Sequence, residues 1–124
     1  MIRVLILGDE VDFLTAVAEG MDVGEVETDL ALYAEQAMAM LAAALTDILV
    51  LDLDTPGEEG IEILERVKKT FPHVPVIILT GRGSDEEEVT ARRKGAFNYL
   101  RKPLDILDLV ESVRIAGKTG TGRS

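Results

Sequence analysis

The sequence predicts a doubly wound α/β domain, with a parallel sheet covered by helices on both faces. Three observations carry that prediction. Short apolar runs alternate with helical patterns along the chain, as strand–helix–strand units require. The clearest run, Ile48-Leu49-Val50-Leu51, is apolar at every position and too short for a core helix, so it suits a strand buried on both faces. It ends on Asp52, followed by Pro56-Gly57 and a new helical period. A carboxylate at the carboxyl end of a central parallel strand lies where open α/β sheets place their chemistry.

The elements follow in order. Ile2–Leu7 is the first strand, broken by Gly8 and followed by Asp9-Glu10. From Asp12 the spacing turns helical, with Phe13, Leu14 and Val17 on one face and Gly20 as the stop. A short second strand falls within residues 23–28, with Val26 pointing inward. Residues 34–45 read as a helix with a small-residue face of Ala37, Leu41 and Ala44. Residues 58–69 repeat the helical period through Ile61, Leu64 and Val67, and residues 76–79 form a fourth buried strand ending at Thr80.

Gly81-Arg82-Gly83-Ser84 is a loop, with Ser84 or Asp85 capping the next helix. That helix opens on Asp85-Glu86-Glu87-Glu88 and closes on Arg92-Arg93-Lys94, the charge order its dipole favours. Gly95 ends it, residues 98–100 form the fifth strand, and a last helix runs from Asp105 to about Ala116. Residues 1–116 therefore read as one domain, and residues 117–124 as a flexible tail or truncated linker.

Composition excludes several classes. Thirteen basic residues stand against 23 acidic ones, a net charge of -10, which argues against contact with nucleic acid or an anionic membrane. With no Cys there is neither a disulfide framework nor a thiolate zinc site. The apolar run of residues 2–7, interrupted by Arg3, is too short for a signal peptide or a membrane span. A cytoplasmic setting is the default expectation.

The chemistry gathers at strand ends. Asp9 follows the first strand, Asp52 ends the third, Thr80 ends the fourth and Lys102 follows the fifth. In the flavodoxin-like order 2-1-3-4-5, taken over from known folds of this kind, strands one, three and four are neighbours and these residues converge. Asp9 and Asp52 offer oxygens to a hard cation such as Mg²⁺, which would relieve their mutual repulsion. Thr80 can donate to a phosphoryl oxygen and Lys102 can pair with another. Carboxylate nucleophile, divalent ion, hydroxyl and ammonium are the parts of an aspartyl-phosphate site.

Four stretches in order carry a family resemblance: Val4-Leu5-Ile6-Leu7-Gly8-Asp9-Glu10, residues 47–60, Val76-Ile77-Ile78-Leu79-Thr80-Gly81, and Gly95-Ala96-Phe97-Asn98-Tyr99-Leu100-Arg101-Lys102-Pro103. Over residues 2 to about 116 the chain resembles the receiver domain of bacterial two-component response regulators. The resemblance implies that Asp52 accepts phosphate from a histidine kinase or phosphotransfer protein. It implies that Asp9, Asp52 and the backbone carbonyl of Asp54 bind Mg²⁺, that Thr80 and Tyr99 form a switch pair, and that Lys102 contacts the phosphoryl group. It further implies a cis Lys102–Pro103 bond, later hydrolysis of the aspartyl phosphate, and a readout face on helix four, strand five and helix five. That face would meet a downstream effector or a second copy. Asp54 and Arg82 lie two residues beyond Asp52 and Thr80; in the family these positions flank the path of the attacking water, and two readings stand: an Asp54–Arg82 pair over the site that tunes the lifetime, or an Arg82 turned outward on its Gly-rich loop with Asp54 touching only solvent.

Other readings compete. Tyr99 can equally be a half-buried strand aromatic, and His73 reads as a surface turn residue. A phosphatase of the haloacid-dehalogenase type would need Thr where Pro56 stands. A flavodoxin would need a hydroxyl-rich loop where Gly8-Asp9-Glu10 stands. The rival within the fold is a pseudo-receiver acting as a phosphorylation-independent binding module. Its support is Gly8, where the family usually carries the first of two acidic residues. The absent carboxylate normally reaches the metal through water, so Mg²⁺ binding should weaken rather than vanish.

Overall fold

Strands and helices alternate throughout the computed structural model, which describes residues 2–21, 26–54 and 60–119. The order is β1 (Ile2–Leu7), α1 (Val11–Met21), β2 (Val26–Ala31), α2 (Ala34–Ala42), β3 (Ile48–Asp52), α3 (Gly60–Thr70), β4 (Val76–Thr80), α4 (Asp85–Arg93), β5 (Asn98–Arg101) and α5 (Ile106–Thr119). All strand pairings are parallel, in the order β2-β1-β3-β4-β5. This is the flavodoxin-like arrangement expected from the sequence.

Side chains alternate across a strand, so the central strands feed two cores. Val4, Ile6, Val50, Ile77 and Leu79 pack with Leu14, Val17 and Met21 of α1 and Leu109, Val113 and Ala116 of α5. Leu5, Leu7, Leu49, Leu51 and Ile78 pack on the other face with α2, α3 and α4 through Ala37, Leu41, Leu64, Val67 and Ala91. Each fully buried Leu or Ile contributes about 1.5–3 kcal/mol of transfer free energy. Every residue of β3 and β4 is buried. The sheet's carboxyl edge is thereby held rigidly, with β3 flanked by β1 and β4.

Several boundaries differ from expectation. β2 lies later, at Val26–Ala31, and pairs with β1 along its full length, from Ile2 with Val26 to Leu7 with Ala31. Glu27, Thr28 and Asp29 interrupt its apolar pattern because β2 is an edge strand with one side open to water. Gly20 does not stop α1, which continues to the buried Met21. A Cβ there would come within 2.8 Å of Ile106, so this glycine permits close approach of α1 to α5. α2 ends at Ala42 rather than at residue 45 because Ala44 turns into the left-handed region at φ 60°. α5 runs past Ala116 to Thr119, so helix takes the first residues of the expected tail. The expected Pro56-Gly57 turn, the start of the helix at residue 58, Val23 and residues 120–124 lie outside the described residues. No helix among the described residues is long and apolar enough to cross a membrane.

Candidate functional site

Asp52 is the last residue of β3, only 1% exposed. A buried carboxylate needs charge or hydrogen-bond partners, and it has both. Its Oδ1 accepts from the Asp54 backbone N–H at 2.9 Å, and its Oδ2 accepts from Lys102 Nζ at 3.0 Å. The Asp54 contact is local, closed by the turn after β3, where the Leu53 N–H also bonds the Leu79 carbonyl at 2.9 Å. The Lys102 contact is long-range. β5 lies two strands from β3, about 9–10 Å away, a gap that only a long flexible stem crosses.

Lys102 starts from a fixed base, because its backbone N–H bonds the Thr80 carbonyl at 2.8 Å. The Lys102–Pro103 bond is cis, as the resemblance implied. The ammonium lies 3.0 Å from Asp52, 3.1 Å from Asp54 and 3.9 Å from Glu10. It also sits over the Phe13 ring, 4.3 Å from the centroid, a cation–π contact. Burial alone would lower its pKa, but hydrogen bonds and charge from Asp52 and Asp54 outweigh this and raise it. The two carboxylates thus favour the charged form of Lys102.

Asp54 is bound more tightly than the sequence suggested. Its Oδ2 accepts from the Gly81 N–H at 2.7 Å and from Lys102 at 3.1 Å, while the Thr80 hydroxyl donates to Oδ1 at 3.3 Å. Burial would raise its pKa, yet the Gly81, Lys102 and Thr80 bonds hold it below the ordinary carboxylate value. The expected Asp54–Arg82 ion pair does not form among the described residues. Gly81 and Lys102 present donors nearer to the carboxylate. Arg82 stays exposed and engages the site through its backbone N–H, which donates to Thr80 Oγ1 at 3.1 Å.

Asp9, Glu10, Asp54, Gly81 and Arg82 line one open cleft at the carboxyl edge of the sheet. Asp9 is exposed there. Gly8 is buried beneath, and a Cβ on it would lie 3.1 Å from Asp52 Cβ and 3.2–3.3 Å from the Leu14 methyl groups. Among the described residues no group of three or more His, Cys, Asp or Glu side chains gathers around a metal position. The cation donors that the resemblance implies are all oxygens: the Asp9 and Asp52 carboxylates and the Asp54 carbonyl. So few protein ligands suit an ion that keeps most of its waters, as Mg²⁺ does.

Tyr99 stands apart from this cluster. Its ring is buried, and its hydroxyl donates to Glu87 Oε1 at 2.6 Å. Burial first, and then the Glu87 carboxylate, push the phenol up to about 12. Gly83 closes over it, since a Cβ at that position would fall on the Tyr99 hydroxyl and 2.8 Å from Thr80 Cγ2. Thr80 and Tyr99 therefore share one packed loop. Sequence reasoning missed the contacts of Glu87 with Tyr99, of Phe13 with Lys102, and of Asn98 with Arg92 and Ser112. Asn98 joins three elements, accepting from Arg92 of α4 and donating to Ser112 of α5 at 2.7 Å. The helical phase that aims Glu87 and Phe13 inward was the only signal for either.

The sequence model of the response regulator receiver domain matches residues 4–114. The transcriptional regulator NtrC of Salmonella typhimurium is 38% identical over 81 residues, 65% of this chain and 17% of that protein. The transcriptional regulatory protein TrcR of Mycobacterium tuberculosis is 33% identical over 113 residues, 91% of this chain and 44% of that protein. The chain thus spans less than half the length of these regulators. The crystal structure of a response regulator receiver domain protein from Clostridium thermocellum superposes with a TM-score of 0.87 at 29% identity, covering 95% of each chain. The chain belongs to the receiver domain family of two-component response regulators.

Proposed function

We propose that this domain accepts a phosphoryl group on Asp52 from a phosphohistidine donor in a Mg²⁺-dependent reaction, and that the aspartyl phosphate changes how it binds partners. The observation that carries the reading is the placement of Lys102, whose ammonium bridges two strand spacings to a carboxylate that is almost wholly buried. An Asp52 oxygen forms the new bond to phosphorus as the phosphorus–nitrogen bond to the donor histidine breaks. Lys102 passes from the Asp52 oxygen to a phosphoryl oxygen, so its charge follows the charge being transferred. Thr80 donates its hydroxyl to a second phosphoryl oxygen. Asp9, Asp52 and the Asp54 carbonyl would hold Mg²⁺, which supplies charge neutralisation at the incoming phosphoryl group. Water later attacks the same phosphorus and returns Asp52 to a carboxylate.

When Thr80 turns toward the phosphoryl group it leaves room beside Gly83 and Tyr99, and the Tyr99–Glu87 bond couples that movement to α4. The face of α4, β5 and α5 is then the surface read by an effector domain, a separate effector or a second copy of the chain. A cytoplasmic setting, in reach of a sensor kinase, goes with this role. Incubation with acetyl phosphate and Mg²⁺, read by intact mass, tests the reading. One added phosphate in wild type, lost when Mg²⁺ is chelated, is expected. An unmodified chain at saturating donor would instead favour a phosphorylation-independent binding module.

A further inference from the structure

Three donors from separate positions converge on one side chain that is not the phosphoacceptor. The Gly81 N–H, the Lys102 ammonium and the Thr80 hydroxyl all reach the Asp54 carboxylate, at 2.7, 3.1 and 3.3 Å. Under the function proposed above, on which this inference rests, Thr80 and Lys102 are the groups that hold phosphoryl oxygens. A carboxylate offers the same donors a negative charge and two acceptor oxygens. We infer that Asp54 is a built-in occupant of the phosphoryl pocket: its side chain fills the anion cradle and must swing out before a phosphoryl group on Asp52 can be held.

The geometry makes such an exchange local. The Asp54 N–H is fixed to Asp52 Oδ1 at 2.9 Å, so the backbone stays while the side chain rotates toward the open cleft that it already lines. Two of its three bonds involve an ionised partner on each side or a backbone N–H to a carboxylate, the stronger kinds. The resting cradle is therefore satisfied rather than waiting, and an incoming anion competes with a tethered one. Glu10 provides the contrast: it lies 3.9 Å from the same ammonium but bonds neither Thr80 nor Gly81, so it adds charge without filling the cradle.

Beryllofluoride, a non-covalent stand-in for the phosphoryl group, tests this in the full chain with saturating Mg²⁺, with equilibrium binding followed by calorimetry or amide chemical shifts. Asp54→Ala should bind roughly tenfold more tightly than wild type, a difference of about 1.4 kcal/mol. Asp54→Asn, which keeps shape and an acceptor oxygen, should fall between them and covers the case in which the alanine variant folds poorly. Glu10→Gln should remain within about twofold of wild type. Equal or weaker binding by both Asp54 variants would overturn the inference while leaving Asp52 phosphorylation standing. So would a gain in Glu10→Gln as large as in Asp54→Ala, since simple charge removal would then explain it. Failure of every form, wild type included, to bind beryllofluoride would remove the proposed function and this inference together.

Discussion

Replacing Gly8 separates two effects that the sequence alone merges. A Cβ at this position meets Asp52 Cβ at 3.1 Å and the Leu14 methyls at 3.2 and 3.3 Å, closer than the 3.5–4.0 Å of relaxed carbon contacts. Leu14 and Asp52 are both buried, so the few tenths of an ångström by which they must give way cost about 1–2 kcal/mol. Gly8→Asn carries this steric cost without charge. Gly8→Asp adds a carboxylate beside Asp52; at a separation of about 6 Å and an effective dielectric of about 20 the repulsion is about 3 kcal/mol. Lys102 offsets part of it, leaving about 1–2 kcal/mol. Urea denaturation without metal should therefore rank wild type, Gly8→Asn and Gly8→Asp in falling stability, the last lower by about 2–4 kcal/mol. Saturating Mg²⁺ should close the gap between Asp and Asn, and Mg²⁺ affinity of Gly8→Asp should rise by on the order of 1 kcal/mol. Equal stabilities for Asp and Asn, with no response to Mg²⁺, would refute the reasoning.

Three further outcomes follow from the packing. Gly83→Ala places a methyl on the Tyr99 hydroxyl and should destabilise by about 1–3 kcal/mol; combining it with Tyr99→Phe should cost less than the sum in chemical denaturation, because the clashing oxygen is gone. The tyrosinate absorbance lost in Tyr99→Phe should titrate near pH 12, well above 10. Its folded pKa is raised, so the stability Tyr99 contributes is complete below pH 10 and lost as pH passes about 12; a component titrating at or below pH 10 would contradict this. Ala44→Gly relieves a left-handed backbone at φ 60° and should raise stability by about 0.5–1 kcal/mol, net of the entropy glycine adds to the unfolded chain, read as an upward shift of the urea midpoint.

The sheet was legible because its central strands carry their own pattern. β1, β3 and β4 are apolar wherever both faces are covered, and the ends of β3, β4 and β5 place Asp52, Thr80 and Lys102 along one edge. β2 was less legible because an edge strand tolerates Glu27, Thr28 and Asp29, which read as loop. Gly20 looks like a helix stop in one dimension, yet in three it is the space that Ile106 requires. The partner of Asp54 was misjudged for a related reason. Strand ends fixed its neighbourhood, but the choice between Arg82 and Lys102 depends on which donors reach the carboxylate in three dimensions, and these are the Gly81 N–H and the Lys102 ammonium. Glu87 sits in a run of four acidic residues, and only the phase of α4 against β5 singles it out for Tyr99.

Whether Asp52 is the phosphoacceptor is decided by trapping the bond. After reaction with acetyl phosphate and Mg²⁺, borohydride reduction converts an aspartyl phosphate to homoserine, which peptide mapping locates. Homoserine is expected at position 52 alone, and none in Asp52→Asn. Homoserine at Asp9 or Asp54 in wild type, or undiminished phosphorylation of Asp52→Asn, would contradict the assignment.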